Sequence, residues 1–435
     1  MRPTLRHPIA PPRRTPAFGT LPIGRRAAGV LAVVLACALV ATPGIAAARR
    51  AETDRVGERT LAQAPDLTSA APDVVAPAGI LETPDGRVLW ARDADARRAM
   101  ASTTKIMTAL VVLRHARLTD VATVSTTAAG VGESGAELEP GERLTVRQLL
   151  EAMLVKSAND GAFALAEHVG GTVPGFVAMM NDEARTLGLT NTHYANPHGL
   201  DATGHYTSAA DLAKLGRVAM SDPVFRSIVG MRQVTLPYPG GRHITLQSSD
   251  HLLGTYPGIE GIKTGWTDKA GYCLVSAAKR GDVELFGVIL GTGSEQARFT
   301  QSARLLDWGF KHYRRIQVTT ANAGVGTIPV TDYLDKDIVA KVAETTAPLL
   351  FDLGGAVTRR YELRPSVTAP VKSGDVVGSV SAQQGSRVLA RVDLVASGGV
   401  PEPGFWERAG IFMTRTWRAV FGPRTGRAAH VTVTD

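Results

Sequence analysis

Residues 102–115 read STTKIMTALVVLRH, and this stretch determines the first helix of the fold. Its apolar residues recur with the spacing of one helix face, so the sequence predicts a helix from Ser102 to His115. Because positions i and i+3 share a helix face, Lys105 is expected to lie beside Ser102 at the helix start. The first turn of a helix also carries partial positive charge and free N–H groups, which would surround the serine oxygen.

The pairing of Ser102 with Lys105 is compatible with a nucleophilic serine. A serine hydroxyl attacks a carbonyl carbon only when a base accepts its proton. A lysine serves as that base when burial or a neighbouring cation lowers its pKa. Taken alone, however, the SxxK pattern is a weak signal, because a serine at a helix start with a lysine one turn later is commonplace.

Two further short motifs follow in the chain. Ser157-Ala158-Asn159 lies between two helical patterns, where its serine could relay a proton and its amide could hold a substrate backbone. The simpler interpretation of this motif is a helix cap. Lys263-Thr264-Gly265 lies on a strand-like run, where a strand edge could pair with an extended peptide and the lysine could bind a carboxylate. An ordinary strand end with a glycine turn is the simpler interpretation here.

The segments around these motifs predict the architecture. A hairpin pattern surrounds Pro84-Asp85-Gly86, helical patterns then fill much of the middle, and strand-like runs return before a last helix. This order predicts an α/β (α+β) fold, with a single antiparallel sheet flanked by helices on both sides and an all-helical lobe inserted. The predicted helices cover residues 102–115, 146–155, 159–169, 174–187 and 295–310, with another beginning after Thr207 or Ser208; the predicted strands cover 244–246, 261–264, 272–278 and 283–290.

Together the three motifs are far more specific than any one of them, because each occurs on the element type that serine acyl transfer requires. In this combination the chain resembles the D-alanyl-D-alanine carboxypeptidases among the low-molecular-mass penicillin-binding proteins, over about residues 75–315. The resemblance implies a β-lactamase/transpeptidase-like fold and removal of the terminal D-alanine from peptidoglycan stem pentapeptides. It also implies covalent inhibition by β-lactam antibiotics and no cofactor. Similar segments surround the motifs, at residues 154–160, 196–201, 258–265 and 270–272.

The resemblance further implies roles for individual residues. Ser102 would attack the carbonyl between the two terminal D-alanines, with Lys105 as the general base. Ser157 and Asn159 would take the roles of the second motif in the catalytic set.

The same resemblance implies a substrate-binding set on and near the later strand. Lys263 and Thr264 would bind the terminal carboxylate, and Gly265 would permit close approach of the backbone. The N–H groups of Ser102 and Trp266 would form an oxyanion hole. Arg298 would orient the carboxylate, unless it is an ordinary exposed helix arginine.

The chain departs from the family pattern at two places. Trp266 stands where the family more often has histidine, which leaves the pocket shape and the substrate preference open. Ser248 and Asp250 stand where the family often has asparagine, so the hydrogen bonding of that loop is expected to differ.

Alternatives on the same fold are a class A-like β-lactamase, a DD-endopeptidase or transpeptidase, and a non-catalytic wall-binding protein. A class A enzyme needs a glutamate that activates the deacylating water, and no E-x-x-L-N element occurs between Ser157 and Lys263. The three intact motifs argue against a protein that has lost catalysis.

The beginning of the chain has the composition of an export signal. The formal net charge of the whole chain is +8, and most of it comes from residues 1–48, which contain arginines and no acidic residue. Arginines precede an apolar run at residues 27–40, and Ala46-Ala47-Ala48 follows, so residues 1–48 are predicted to be a signal peptide. An uncleaved anchor is the alternative, and Arg25-Arg26 leaves open twin-arginine or Sec export.

Residues 49–75, which are polar and aperiodic, are predicted to be a linker before a catalytic domain at 76–315.

The end of the chain predicts two further units. Short β-branched runs over residues 316–400 predict a small β-sandwich domain. Residues 401–425 predict an amphipathic helix with Trp406, Met413, Trp417 and Phe421 on one stripe and arginines beside it, followed by a tail at 426–435. Such a helix suits a membrane surface, and packing against the β domain is the alternative. The predicted location is therefore extracytoplasmic, in the cell envelope, with peripheral attachment to the outer face of the cytoplasmic membrane.

Several classes of site are not supported by the sequence. No basic stripe with interleaved aromatic residues suggests nucleic acid. The histidines and cysteines lack metal-ligand spacing, so we predict no metal. Cys273 lies in a strand-like run and is expected to be a buried structural thiol.

Overall fold

The computed structural model describes residues 55–62, 71–422 and 427–432. The predicted export signal over residues 1–48 lies outside them. Within the described residues the helices are α1 (Lys105–His115), α2 (Thr126–Ala129), α3 (Val146–Glu151), α4 (Asn159–Gly170), α5 (Val173–Thr186), α6 (Ala209–Met220), α7 (Pro223–Val229), α8 (Glu295–Lys311) and α9 (Phe405–Phe421). The strands before residue 312 are β1 (Val56–Ala62), β2 (Ala78–Glu82), β3 (Val88–Arg92), β4 (Val121–Thr123), β5 (Arg143–Thr145), β6 (Gln233–Pro237), β7 (His243–Gln247), β8 (Ile259–Thr267), β9 (Gly271–Arg280) and β10 (Val283–Thr292).

A five-stranded antiparallel sheet organises the catalytic region, with strand order β3-β2-β10-β9-β8. Successive residues of a strand point to opposite faces, so this sheet buries two apolar surfaces. Leu274 and Leu285 pack with α8 on one face, while Val275 and Phe286 pack with the helical lobe on the other. The fold class predicted from the sequence is confirmed, with β8 placed at the sheet edge next to α1.

The predicted helices occur, but two begin or end differently. The turn Ala101–Thr104 is a 3₁₀ turn, and the α-helix proper starts at Lys105. After α3 the chain continues as a π-helical turn, Ala152–Lys156, and then reaches Ser157 in a left-handed conformation with φ 70°. Such π turns are frequent at functional sites. Helix α7 was not predicted, because seven residues are too few to show a helical period; Asp222 caps it by accepting hydrogen bonds from Val224 and Phe225 N–H.

The C-terminal region is β-rich, as predicted. Among the described residues, the strands after residue 312 are β11 (Tyr313–Arg315), β12 (Gly324–Pro329), β13 (Asp337–Val342), β14 (Leu349–Phe351), β15 (Val357–Leu363), β16 (Val376–Gln384), β17 (Arg387–Ala396) and β18 (His430–Val431). Seven of the described strands form one antiparallel sheet in the order β1-β15-β16-β17-β13-β12-β18. One of the β-branched runs in the predicted β domain, residues 366–368, forms no strand, and Val367 makes only an isolated bridge to Val330.

Both edges of this sheet lie in segments for which no strand was predicted. Strand β1 falls inside the predicted linker at 49–75 and pairs with β15, from Val56 opposite Glu362 onward. Strand β18 falls inside the predicted tail and pairs with β12. Short edge strands rich in polar residues carry little periodicity, because their pairing to an existing sheet rather than their own apolar face holds them.

Helix α9 follows the β domain and presents large apolar side chains to solvent. None of its residues is buried. Ile411 packs partly against the β domain and the Arg415 guanidinium donates to the Thr331 carbonyl, so one side of the helix touches protein. Among the described residues, no helix combines the length and the apolar character needed to cross a bilayer.

Candidate active site

The SxxK element brings an amine to a hydroxyl at the start of α1. Lys105 Nζ lies 2.9 Å from Ser102 Oγ, 2.7 Å from Asn159 Oδ1 and 2.5 Å from the His198 carbonyl oxygen. The Lys105 side chain is fully buried. Ser102 and Lys105 are therefore adjacent, as their i and i+3 positions predicted. Asn159 of the second motif also contacts Lys105.

Burial and a second ammonium group both act on this amine. The pKa of Lys105 lies well below the ordinary lysine value, first because burial penalises the charged form and second because the positive charge of Lys263 is near. The carboxylates of Asp160 and Glu133 oppose these effects. An amine in this environment is suited to accept a proton from a neighbouring hydroxyl.

The second motif is positioned by the π turn described above. Ser157, in the left-handed conformation, ends that turn, and Asn159 begins α4 two residues later. Asn159 binds both sides of the neighbouring loop, because its Nδ2 donates to the Gly132 carbonyl at 2.9 Å and its N–H donates to the Ser134 carbonyl at 2.7 Å. The Asn159 side chain is thus held between this loop and Lys105.

The third motif occupies strand β8. Lys263 is 1% exposed, and its Nζ donates to the Thr264 carbonyl at 3.1 Å. Burial, and then the Arg298 guanidinium, lower the pKa of Lys263 to about 7, against the opposing effect of Asp250. Thr264 Oγ1 lies 2.6 Å from Ser249 Oγ, so Ser249 joins the site from the loop before β8.

Two glycines allow the elements to approach each other. A Cβ on Gly265 would lie 3.0 Å from Ser102 N and 3.1 Å from Ala101 Cβ, so strand β8 runs against the 3₁₀ turn. A Cβ on Gly199 would lie 2.0 Å from the Ala101 carbonyl oxygen, and φ at Gly199 is +101°. Larger residues at either position would push the loop or the strand away from Ser102.

A cavity of about 610 Å³ opens at this meeting point. It brings together seven of the nine residues predicted from the sequence, while Lys105 and Lys263 lie buried behind its wall. Trp266 is 46% exposed at its rim and its ring is 5.8 Å from that of Tyr272. The seven predicted residues that line the cavity are Ser102, Ser157, Asn159, Thr264, Gly265, Trp266 and Arg298.

Arg298 is a buried residue and not an exposed helix arginine. It is 5% exposed, its Nη1 donates to the Gly265 carbonyl at 3.3 Å, and its Nη2 lies 2.6 Å from Glu295 Oε1. Its guanidinium also lies over the Tyr272 and Phe299 rings. Its Nε is buried with no hydrogen-bond partner among the described residues. A cation of this kind at a cavity wall is suited to an anionic ligand.

The loop before β8, where the sequence departs from the family, has its own hydrogen bonds. Ser248 Oγ accepts from Asp250 N–H at 3.1 Å, and Asp250 Oδ1 accepts from Leu252 N–H at 3.0 Å. Asp250 is buried, which raises its pKa. Ser248 and Asp250 therefore hold this loop in a turn, and Asp250 places a buried carboxyl group behind the site.

Sequence reasoning missed three contributors. The His198 carbonyl is a backbone acceptor and has no side-chain signal, and Ser249 lies in no motif. Glu133 also lines the cavity, with a left-handed φ of 70° between the two carbonyls bound by Asn159. Within the described residues no group of three or more His, Cys, Asp or Glu side chains is placed to hold a metal ion.

Comparison with known proteins gives a family match for each of the two parts of the chain. A family model described as D-alanyl-D-alanine carboxypeptidase matches residues 66–294. A second family model, described as the C-terminal domain of penicillin-binding protein 5, matches residues 313–402.

Curated relatives agree with these matches. The D-alanyl-D-alanine carboxypeptidase DacC of Escherichia coli is 33% identical over 376 residues, which cover 82% of this chain and 92% of the relative. The enzyme DacF of Bacillus subtilis is 30% identical over 334 residues, which cover 75% of this chain and 86% of the relative.

Solved structures show the same fold. The D-alanyl-D-alanine carboxypeptidase DacD of Francisella tularensis superposes with a TM-score of 0.57 at 27% identity, covering 79% of this chain and 98% of that structure. The Streptomyces K15 DD-transpeptidase superposes with a TM-score of 0.53 at 34% identity, covering 55% of this chain and 98% of that structure. This chain therefore belongs to the D-alanyl-D-alanine carboxypeptidase family, and it is a serine-type DD-carboxypeptidase of peptidoglycan metabolism.

Proposed function

We propose that Ser102 is the nucleophile that removes the terminal D-alanine from peptidoglycan stem pentapeptides through an acyl-enzyme. The observation that carries this proposal is the 2.9 Å separation between Ser102 Oγ and Lys105 Nζ at the wall of the cavity. The lowered pKa of Lys105 supports its role as the base.

The contacts of Lys105 suit the uncharged amine. A neutral amine has two hydrogens and one lone pair. In the uncharged form, hydrogen bonds donated to Asn159 Oδ1 and the His198 carbonyl would use both hydrogens and leave the lone pair for the Ser102 hydroxyl, 2.9 Å away. In the proposed reaction Lys105 takes the hydroxyl proton, Oγ bonds to the penultimate D-alanine carbonyl carbon, and the C–N bond breaks. The leaving D-alanine amine gains that proton, with Ser157 relaying it, and Asn159 holds the substrate backbone.

The substrate carboxylate binds at the other side of the cavity in this proposal. Lys263 and Arg298 supply positive charge, and Thr264 supplies a hydroxyl that Ser249 orients. The N–H groups of Ser102 and Trp266 would stabilise the oxyanion, each contributing about 3 kcal/mol to the transition state. Water then hydrolyses the acyl-enzyme. A β-lactam would acylate the same oxygen, and it would remain attached because its amine stays tethered to the opened ring.

The test is mass spectrometry of the protein after reaction with penicillin, followed by peptide mapping of the adduct. We expect one adduct on Ser102 and release of D-alanine from a pentapeptide. Ser102→Ala should abolish both while the thermal unfolding profile is retained. An adduct that persists in Ser102→Ala would mean that another residue is the nucleophile. Rapid turnover of nitrocefin would instead favour a β-lactamase.

We further propose that α9 attaches the enzyme to a membrane surface. The side chains of Phe405, Trp406, Phe412, Trp417 and Phe421 are between 62% and 83% exposed, which is a large apolar surface for a helix in water. Arginines flank this surface, as expected for contact with anionic lipid headgroups. This arrangement, together with the predicted export signal, supports an extracytoplasmic location at the outer face of the cytoplasmic membrane.

A further inference from the structure

A short chain of hydrogen bonds lies beneath the nucleophile turn. Thr104 Oγ1 donates to the Ala101 carbonyl at 2.8 Å, and the same hydroxyl lies 2.8 Å from His205 Nε2. The other ring nitrogen, His205 Nδ1, accepts from the Ala195 N–H at 3.0 Å. Since Nδ1 is an acceptor, the ring proton must lie on Nε2. The chain therefore has one consistent direction, in which His205 donates to Thr104 and Thr104 donates to Ala101.

This chain is buried and requires a neutral imidazole. Thr104 is fully buried and His205 is 5% exposed. Burial lowers the pKa of His205 to about 4; Asp201 opposes this effect, and His193 and Lys105 add to it. A second ring proton would point Nδ1–H at the Ala195 N–H, where two donors would meet. His205 is therefore uncharged near neutral pH, with its tautomer determined by its partners.

The acceptor at the end of the chain is part of an unusual backbone. Ala101 has φ of +49°, a conformation that residues with a Cβ rarely adopt unless their surroundings hold them there. The peptide that joins Ala101 to Ser102 is also confined between two glycines. A Cβ on Gly199 would meet the Ala101 carbonyl, and a Cβ on Gly265 would meet Ser102 N.

The Ala101 carbonyl and the Ser102 N–H belong to one peptide unit. This unit is trans, so its C=O and N–H point in opposite directions. A hydrogen bond that orients the Ala101 carbonyl therefore also sets the direction of the Ser102 N–H. We infer that Thr104 and His205 are positioning residues for the oxyanion hole, acting through the Ala101 carbonyl on the Ser102 N–H donor. This inference rests on the proposed function, which makes that N–H an oxyanion donor.

The inference predicts a specific kinetic defect. An oxyanion donor is used mainly in the transition state, so a misdirected Ser102 N–H should slow acylation and leave ground-state binding nearly unchanged. Complete loss of one such donor costs about 10²–10³-fold in kcat. A Ser102 N–H that is misdirected but still present should reduce kcat by less, on the order of 10-fold to 100-fold.

Thr104→Val removes the hydroxyl and keeps the side-chain shape. We expect kcat for a D-Ala-D-Ala peptide and the rate constant for acylation by fluorescent penicillin to fall about 10-fold to 100-fold, with KM little changed. A peptide boronic acid, whose tetrahedral adduct places an oxygen in the hole, should lose affinity by a similar factor. Thr104→Ser, which restores a hydroxyl, should recover most of the rate. His205→Leu should resemble Thr104→Val, and His205→Gln, which returns an N–H donor, should be intermediate.

Thr103 provides a matched control. It is also fully buried in the same turn, and its hydroxyl donates to the Met100 carbonyl at 2.7 Å, three residues back. That carbonyl belongs to the preceding peptide unit, which does not contain the Ser102 N–H. Thr103→Val should therefore acylate at close to the wild-type rate. Equal slowing of Thr103→Val and Thr104→Val would overturn the inference, because the effect would then be general loosening of the turn.

Two further measurements distinguish this inference from misfolding of the variant and from failure of the proposed function. Labelling at saturation should still reach one penicillin per Thr104→Val molecule, only more slowly, whereas misfolding would lower the final stoichiometry. Failure of the proposed function would appear differently, as continued labelling of Ser102→Ala. A Thr104→Val enzyme with an unchanged kcat and a raised KM would contradict the inference, since the hydroxyl would then act in substrate binding.

Discussion

Lys105 and Lys263 lie buried behind one cavity, and each depends on its surroundings for its charge state. Burial lowers the pKa of both, and the charge of Lys263 lowers that of Lys105 further. The roles are nevertheless different. Lys105 Nζ lies within hydrogen-bond distance of Ser102 Oγ, Asn159 Oδ1 and the His198 carbonyl. Lys263, in contrast, lies on β8 next to Thr264 and near Arg298.

The burial of Lys263 should reduce stability. Its pKa is about 7 in the folded protein, against ~10.4 for an unfolded lysine. Between these values the unfolded chain binds the extra proton, so the free energy of unfolding rises with pH, and the cost of Lys263 is largest below the folded pKa. We expect Lys263→Met to raise the thermal midpoint most at pH ~6 and progressively less toward pH ~10, while kcat/KM falls on the order of 100-fold. The exposed Lys279 on β9 is the control, and Lys279→Met should change neither quantity.

The pH dependence of kcat/KM tests the proposed role of Lys263 in substrate binding. In the proposed binding mode the Lys263 ammonium attracts the substrate carboxylate, so kcat/KM should decline as pH rises through about 7, the pKa of Lys263 in the free enzyme. Bound carboxylate stabilises the ammonium, so the corresponding limb of kcat should lie at higher pH. A substrate with a C-terminal amide has no carboxylate, and its slow turnover should lack this alkaline limb. An identical alkaline limb for acid and amide substrates would assign that titration to another group.

Residue identities at the site were largely predictable, because SxxK, SxN and KTG each contain side chains with distinct chemistry. Their partners were not. The His198 carbonyl, the Ala101 backbone and the Ser249 hydroxyl act through positions that only the folded chain defines.

At the scale of elements, the site depends on how closely β8 approaches the 3₁₀ turn. The sequence predicted a strand at 261–264 and a helix from 102, and it could not specify the distance between them. It also predicted a continuous helix over 146–155, whereas the π turn Ala152–Lys156 delivers Ser157 and Asn159 to Lys105. Local propensity does not distinguish a π turn from an α-helix, because the difference arises from tertiary contacts.

Gly265→Ala tests this approach. The added Cβ would lie within 3.0–3.2 Å of Ser102 N, Ala101 Cβ and the Met100 carbonyl, so β8 or the turn must shift by a few tenths of an ångström. We expect penicillin acylation to slow by about 10-fold or more with a change of about 1 kcal/mol in unfolding free energy. Gly293→Ala, at a position with nothing within 4 Å of the new Cβ, is the control. A Gly265→Ala enzyme with the wild-type acylation rate would show that this close approach is not required.

At the scale of the whole molecule, the catalytic region is inserted in the sequence between the first strand of the β domain and the later ones. β1 precedes it, the remaining strands of the seven-stranded sheet follow it, and β18 comes after α9. The two regions also touch, as the Arg87 guanidinium lies 5.7 Å from the centre of the Phe351 ring and the Trp308 ring lies 5.5 Å from the same ring.

This order decides how membrane attachment should be tested. Truncation before α9 would also remove β18 and expose the edge of β12, so substitution is the cleaner experiment. We expect the triple variant Trp406→Ser, Phe412→Ser and Trp417→Ser to lose cosedimentation with anionic phospholipid vesicles, since the apolar face of α9 is removed. Its kcat/KM for a soluble peptide should not change. Val388→Ser, which alters an exposed apolar residue of β17, should leave vesicle binding intact. Undiminished vesicle binding by the triple variant would exclude α9 as the attachment site.

The pairing of β1 with β15 has a consequence for how the protein is made. Gly57 lies opposite Tyr361, so β1 pairs with a strand that is synthesised some three hundred residues later. The intervening region has its own sheet and core and is able to collapse during that delay. Loop closure becomes only slowly more costly with length, so a compact intervening unit does not prevent the late pairing. The outermost strand β1 of the seven-stranded sheet can therefore pair with β15 only after the whole intervening catalytic region has been synthesised.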